Sequence, residues 1–339
     1  MLLNRRVGKE NSLPKEQKIN QPITLVICVK NALHQLTNLL KRIDKLDTKN
    51  YDVNVLIVDD YSDTPLDSNQ QTLICRYPIE IIKPDINIPG KKAAIMTGIL
   101  ACKEGVILLT DVDCLPSEQW VNHMVKATKN DRITLGYSPF IRRRTTVNKW
   151  ARYENVITAI QYLGWALLGK PYMGVGRNMA FNATVISNLT LDDLHPSLPG
   201  GDDDMLVQYV GQADVCLDSD AFVFTEGPSS WTSYFAQKRR HYGISTRYPL
   251  PTKIKLSIYS LTQIGVLILS LVGLLSGMGK LVLIIWIVRT LLMLGSSAQV
   301  FKRLNQFDLW YWIPLLDVML SLYYIVFGFT FLLPKSKQW

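Results

Sequence analysis

The sequence is poor in the residues from which disulfide scaffolds and zinc knuckles are built. Its five cysteines, Cys28, Cys75, Cys102, Cys114 and Cys216, are odd in number and scattered, and none forms a CxxC pair. That excludes a disulfide framework and a thiolate zinc site, and it suits a reducing cytosol. The four histidines, His34, His123, His195 and His241, are equally dispersed. The net charge is +9, yet there is no zinc-finger spacing and no long Lys/Arg tract. Nucleic acid is therefore not the expected partner, and the basic balance points to an anionic membrane surface or a phosphorylated substrate. Residues 1–20 are polar and basic, lack the apolar core of a signal peptide, and read as a cytosolic tail.

What is abundant is apolar residue, at 48% of the 339 positions, and it is unevenly placed. Leu256–Gly279 contains no charged residue. At about 1.5 Å per residue that run reaches about 36 Å, more than a ~30 Å hydrocarbon core requires. Leu281–Phe301 is apolar except for Arg289, and Leu309–Pro334 except for Asp317. The pattern predicts a membrane domain over 256–334 with about three transmembrane helices; the alternative is a buried helical core. Arg247, Lys253, Lys255, Lys302 and Arg303 against Lys280 place the preceding domain on the cytoplasmic side of a cell (inner) membrane, with Lys335 and Lys337 opposing. Arg289 and Asp317 fall at comparable depth if their helices run antiparallel. They either form an ion pair or each snorkel to the nearer interface.

Before the membrane region the chain alternates strand and helix patterns. Strands are expected at Ile23–Val29, Val53–Val58, Ile79–Ile82, Val106–Thr110 and Ile133–Phe140. Helices are expected at Ala32–Ile43 with Asn31 as N-cap, at Lys91–Lys103, and at Ser117–Lys129 capped by Ser117. Trp150–Leu168, with Trp150, Tyr153, Tyr162 and Trp165, reads either as an interfacial amphipathic helix or as a core helix. This α/β alternation predicts a mostly parallel sheet with helices on both faces over residues 21–250. In such sheets ligands bind beyond the carboxyl ends of the strands.

Acidic residues fall at those positions. The second strand ends in Asp59-Asp60 and the fourth in Asp111-Val112-Asp113. Two carboxylates at i and i+2, leaving a buried strand, suit a hard divalent cation that also meets a diphosphate. A solvated turn is the plainer reading of a lone DxD. Asp202-Asp203-Asp204 is either an exposed loop or helix start favoured by the dipole, or a general base whose proton affinity is raised by its neighbours. The basic run from Gln237 to Tyr242 is a lipid-facing stripe, a phosphate clamp, or both.

The order strand-end DD, DxD, acidic triplet and QxxR, ahead of apolar helices, resembles the family 2 glycosyltransferases. The resemblance is closest to the membrane-bound branch that includes cellulose synthase and ceramide glucosyltransferase, and it covers roughly residues 20–250. It implies a GT-A nucleotide-diphospho-sugar transferase domain. By that resemblance Asp59 and Asp60 match the uridine-binding aspartates. Gly90, Lys91 and Ala94 match GK-x-x-A at the donor site, and Asp111 and Asp113 match the DxD that holds Mg²⁺ or Mn²⁺ and the diphosphate. Gly174–Asn178 sits at an acceptor-side segment. Asp202-Asp203 matches the ED pair, with Asp203 as base, and Gln237, Arg240 and His241 match QxxRW. The chain departs from the pattern in Asp202, where the family has Glu, and in His241, where it has Trp. Residues 1–20 do not read as the N-terminal membrane helix that many members carry.

The resemblance implies inverting, metal-dependent transfer from a nucleotide-sugar donor, UDP- or GDP-linked, to a lipid or glycan acceptor at the membrane. Loss of the stacking tryptophan favours transfer of one sugar over a processive polysaccharide synthase. The competing classes are a nucleotidyltransferase, for which Val29–Ala32 supplies no glycine- and arginine-rich triphosphate loop, a lipid transporter, and a non-catalytic membrane scaffold that keeps the fold.

Overall fold

In the computed structural model the described residues are 21–67, 73–84, 90–194, 200–245 and 248–330, without the side chains of 240–244 and 327–330. They form two compact units. One comprises residues up to 141 together with 158–227; the other comprises 142–157 and the described residues from 228 onward.

The first unit is built on a seven-stranded sheet. Its strands are β1 (Pro22–Val29), β2 (Asp52–Asp59), β3 (Ile79–Ile82), β4 (Val106–Asp111), β6 (Ile133–Leu135), β7 (Met179–Asn182) and β8 (Ala213–Val215), in the spatial order β3-β2-β1-β4-β7-β6-β8. A two-stranded ribbon pairs β5 (Cys114–Pro116) with β9 (Val223–Thr225). β1, β2, β3 and β4 run parallel; β7 is antiparallel to both β4 and β6. The central strands are buried on both faces, as their near-continuous Val/Ile/Leu runs require. Helix α1 (Leu33–Ile43) closes one face through Leu36, Leu39, Leu40 and Ile43, and α3 (Trp120–Ala127) adds Trp120, Val121 and Met124 to the same core.

Helix α2 (Lys91–Ala101) lies close against β1 and β2. A Cβ at Gly98 would come within 2.6 Å of Val26 Cγ1 and 2.9 Å of Val58 Cγ2, so only glycine allows this approach. The close packing fixes where the first residues of α2 fall relative to the strand ends. Helix α5 (Asp202–Val210) follows Gly201 in the left-handed region, at φ 75°.

Several local expectations are corrected. Asn31 is not the cap of α1: Ala32 occupies that position without a side-chain cap bond. Asn31 instead adopts φ 51° and bridges to the loop after β2. Its N–H donates to Ser62 Oγ at 2.9 Å, and its Oδ1 accepts from the Asp63 N–H at 2.8 Å. Ser117 does not cap α3, which starts three residues later; its hydroxyl donates to the Phe222 carbonyl at 2.8 Å. β6 stops at Leu135 because the residues beyond it turn to other partners. Gly136 N–H donates to the Asn178 carbonyl, Tyr137 packs edge-on to Phe222, and Phe140 bridges to Thr225. The aromatic segment is one helix, α4 (Thr146–Leu167), whose Trp150, Tyr153 and Tyr162 are buried, which is the core-helix reading.

The second unit contains α6 (Trp231–Ser245), α7 (Leu250–Leu275), α8 (Gly279–Arg303) and α9 (Ile313–Thr330), with the tight turn Phe307–Trp312 joining α8 to α9. Three stretches, Leu250–Leu275, Gly279–Arg303 and Phe307–Val326, are long and apolar enough to cross a membrane. α7 and α8 expose Leu, Ile and Val nearly all round, as hydrocarbon-facing helices do. α7 starts earlier than the charge-free run suggests, because Pro249-Leu250-Pro251 sets its first turn.

Arg289 of α8 and Asp317 of α9 form an ion pair, and Arg289 also donates to Gln263 Oε1 of α7 at 2.8 Å. One guanidinium therefore joins all three helices. Breaking a buried pair from one side leaves an uncompensated charge at a cost of about 3–5 kcal/mol. Asp317→Asn and Arg289→Gln should each lower the melting temperature in detergent, while Arg289→Met/Asp317→Leu together should recover most of it. Equal melting temperatures for wild type and both single variants would contradict this role.

Candidate functional site

The register of the parallel strands assembles the site. Val29 is paired with Asp59 on one side of β1, and Cys28 with Asp111 on the other. The strand-end aspartates thus flank the carboxyl end of β1. Asp59 is fully buried, and both its oxygens accept backbone N–H groups, from Ser62 at 3.0 Å and Leu66 at 3.3 Å. Its carboxylate shapes the loop 61–66. Asp60, 2% exposed, accepts from Gly90 N–H at 3.0 Å, and its second oxygen lies 3.5 Å from Lys30 Nζ. Gly90 holds φ 129°, a conformation that an L side chain would strain. The next residue, Lys91, reaches Asp111 Oδ1 at 2.9 Å. The Gly90-Lys91 pair therefore ties the end of β2 to the end of β4.

Burial and neighbouring charge together set the proton affinities. The Asp111 carboxylate raises Lys91 well above the ordinary lysine range, against burial, with Asp202 and Asp203 adding to the effect. Burial pushes Asp111 upward, but Lys91 and then Arg177 outweigh it, and the carboxyl sits below its usual range. Asp203 is raised to about 6, first by burial and then by the neighbouring Asp202 charge, with Lys91 and two backbone N–H bonds opposing. Those bonds come from Gly176 at 3.0 Å and Asp204 at 3.0 Å. Asp202 and Asp204 are themselves buried. The triplet is thus the first turn of α5 and not an exposed loop, and the dipole offsets part of the repulsion.

The antiparallel pairing of β7 with β4 brings the start of β7, and the turn Gly176–Asn178 before it, to the same end of the sheet. Arg177, whose charge acts on Asp111, donates from Nε to Ser138 Oγ at 2.8 Å. Asn178 is fully buried. It accepts from Trp120 Nε1 at 2.9 Å and donates to the carbonyls of Tyr137 and Ala221 at 2.8 and 3.0 Å, locking the turn in place. Lys92 is buried and donates to the Leu194 carbonyl, and its charge meets Asp202, Asp203 and Asp204. Sequence patterning misses the separate roles of Arg177, Asn178 and Lys92. The only available signal for Arg177 and Asn178 was the glycine-rich segment around them.

Carboxylate oxygens of Asp111 and Asp113 lie within 4.8 Å of each other and of Cys114 Sγ. Asp113 is exposed, whereas Cys114 is buried and its thiol is pushed far up by that burial. A thiol that stays protonated is a poor ligand. The donor set that remains is two carboxylates, which fits an oxygen-preferring divalent cation.

Asp59, Asp60, Lys91, Asp111, Asp113, Asp202 and Asp203 all belong to the sheet unit. Gln237 lies half-buried on α6 in the helical unit. The side chains of Arg240 and His241 lie outside the described residues.

Asp203 supplies a test by stability. Its folded-state proton affinity exceeds the ordinary value, so folding favours the protonated form. Stability from this group is complete below the unfolded value and is lost as pH rises through about 6. Asp203→Asn cannot ionise and keeps one acceptor oxygen in place of two, so its melting temperature relative to wild type should rise between pH 4 and pH 8. A melting difference independent of pH would contradict the assignment.

Residues 24–187 match the family described as Glycosyl transferase family 2. No curated protein matches the sequence significantly. Among solved structures, the chain is similar to mannosyltransferase PcManGT from Pyrobaculum calidifontis in complex with GDP-Man and Mn²⁺, with TM-score 0.49 and 14% identity over 90% of this chain and 88% of that one. It is similar to GalNAc-T7 with UDP, GalNAc and Mn²⁺, with TM-score 0.44 and 13% identity over 62% of this chain and 45% of that one. It is also similar to S. aureus TarS 1–349, with TM-score 0.44 and 14% identity over 66% and 65%. The chain thus spans less than half the length of the GalNAc-T7 chain and just under two thirds of the TarS fragment.

Proposed function

The chain carries a glycosyl transferase family 2 domain of the GT-A fold at residues 24–187, and from that premise we propose that it moves one sugar from a nucleotide-sugar to a lipid or glycan acceptor at the cytoplasmic face of a membrane, with inversion. The observation that carries this reading is the meeting of Asp111, Lys91 and Asp203 at the carboxyl ends of parallel strands, where sheets of this kind bind ligands.

Each role follows from the surroundings. Asp59 and Asp60 fix the loops beside the nucleoside, Asp59 through the 61–66 turn and Asp60 through Gly90. Asp111 and Asp113 would hold Mg²⁺ or Mn²⁺, which when bound neutralises charge on the diphosphate. Lys91 and Arg177 are cations already at that position, and both attract phosphate oxygens. A base poised near neutrality accepts a proton efficiently. Asp203, at about 6 and aimed by two N–H bonds, would take the proton of the acceptor hydroxyl as its oxygen attacks the anomeric carbon. By the resemblance, Gln237, Arg240 and His241 match the QxxRW segment that family members use near the diphosphate and acceptor. The three apolar helices anchor the enzyme where an amphiphilic acceptor resides.

The purified full chain in detergent, given nucleotide-sugars, Mg²⁺ or Mn²⁺ and lipid extract, should release nucleoside diphosphate. Asp203→Asn should lose roughly a hundredfold to ten-thousandfold in rate, the range that general-base catalysis contributes, while still binding donor. The acid limb of kcat/KM should have its midpoint near pH 6. Lys91→Met should move that midpoint upward, because Lys91 holds Asp203 down. No release with any donor would sink the transferase reading, and full activity of Asp203→Asn would sink the assignment of the base.

A further inference from the structure

A basic and aromatic cluster in the helical unit includes none of the residues assigned above to sugar transfer. Arg142, Arg143 and Arg144 precede α4 on a turn held by two bonds: Arg143 N–H donates to Asn148 Oδ1 at 2.8 Å, and Asn148 N–H donates to Thr145 Oγ1 at 3.2 Å. Arg142 and Arg144 are exposed, and the Arg142 side chain is 71% accessible. Its guanidinium lies 3.4 Å from Asp308 Oδ2. That carboxylate already takes a two-pronged bond from the buried Arg152, at 2.9 and 2.5 Å. Arg142 therefore keeps most of its five N–H donors for another anion.

Asp308 belongs to Phe307–Trp312, the short segment that joins α8 to α9. Phe307 stacks on Trp310 at 5.4 Å, and Tyr311 lies edge-on to both. Tyr311 is 68% and Trp312 44% exposed. Two further cations crown the segment: Lys149 Nζ stands 3.4 Å above the Trp312 ring, and Lys302 Nζ stands 5.0 Å above Phe307. Arg142, Lys149 and Lys302 thus gather on one aromatic turn, with Arg144 two residues from Arg142, against a single carboxylate that Arg152 already satisfies.

The turn directly follows the stretch Gly279–Arg303 and opens the stretch Phe307–Val326, both long and apolar enough to cross a membrane, so it falls where one span ends and the next begins, at the bilayer surface. Exposed tryptophan and tyrosine prefer that depth, and cations there attract anionic headgroups. We propose that this cluster is a binding site for the headgroup of an anionic phospholipid. The phosphate oxygens are taken by Arg142, Arg144 and Lys302, while Tyr311 and Trp312 seat among the glycerol and ester groups. The inference rests on the membrane reading of α7 to α9 and is independent of the transferase chemistry.

The test uses the full chain in nanodiscs of mixed phosphatidylcholine and phosphatidylglycerol. The protein is then extracted gently, and the lipids that remain bound are identified by native mass spectrometry. Phosphatidylglycerol should be enriched over phosphatidylcholine on the wild-type chain. Arg142→Gln/Arg144→Gln, and separately Arg144→Gln/Lys302→Gln, should lower that enrichment by roughly fivefold per charge removed. Lys129→Gln/Arg132→Gln removes an equal charge from the Asp214 ion pairs of the sheet unit and should leave it unchanged. No enrichment on the wild type, or an equal fall in the Lys129/Arg132 control, would overturn the proposal. Sugar transfer is not read in this experiment, so its failure and a failure of the transferase reading remain distinct.

Discussion

The ammonium group of Lys91 is the central counter-charge of the candidate site, with Arg177 and Lys92 adding to it. Asp60 leaves β2, Asp111 ends β4, and Asp202 and Asp203 begin α5, so carboxylates from three elements converge where solvent screening is weak. At an effective dielectric of about 20, two unit charges 4 Å apart interact by about 4 kcal/mol. Such a gathering needs a counter-charge within the fold. Lys91 provides it, with its Nζ 2.9 Å from Asp111 and its field reaching Asp202 and Asp203. Its position in turn depends on Gly98, which lets α2 approach the sheet, and on Gly90, whose backbone is pinned by Asp60.

The same counter-charge separates the carboxylates by role. Asp111, paired with Lys91, is held ionised and suits a cation or diphosphate. Asp203 has only an indirect share of Lys91 and sits next to Asp202, so it stays near neutrality and suits proton transfer. The helical unit handles charge by a parallel rule. Arg289 is sheltered by Asp317 and Gln263, and Arg152 by Asp308 and Gln306, which leaves the surplus cations at the turn between α8 and α9.

Much of this was legible in the sequence where one residue type dominates a pattern. The Val/Ile/Leu runs of β1, β2 and β4 give the parallel core, and the aspartates just past them mark the ligand end. The Arg289–Asp317 pair was readable as one of two outcomes, because a charge inside an apolar run has few ways to be accommodated. Capping was misread at Asn31 and Ser117, since both side chains are drawn to partners far along the chain, Ser62 and Phe222. The antiparallel β7, which delivers Arg177 and Asn178, follows from pairing with β4 across about seventy residues of chain. No local period encodes that contact. The proton affinity of Asp203 likewise depends on burial and on Lys91, and sequence shows only that three aspartates adjoin.

The strand-end carboxylates and Lys91 are the parts of the proposed metal-assisted diphosphate site. Calorimetric titration of the full chain with a nucleoside diphosphate, with and without Mn²⁺, addresses that directly. Binding should require the metal in the wild type, be lost in Asp113→Asn, and weaken by roughly tenfold or more in Lys91→Met, the scale of one charge-assisted hydrogen bond. Tight binding without metal that is indifferent to both substitutions would show that the site does not work as described.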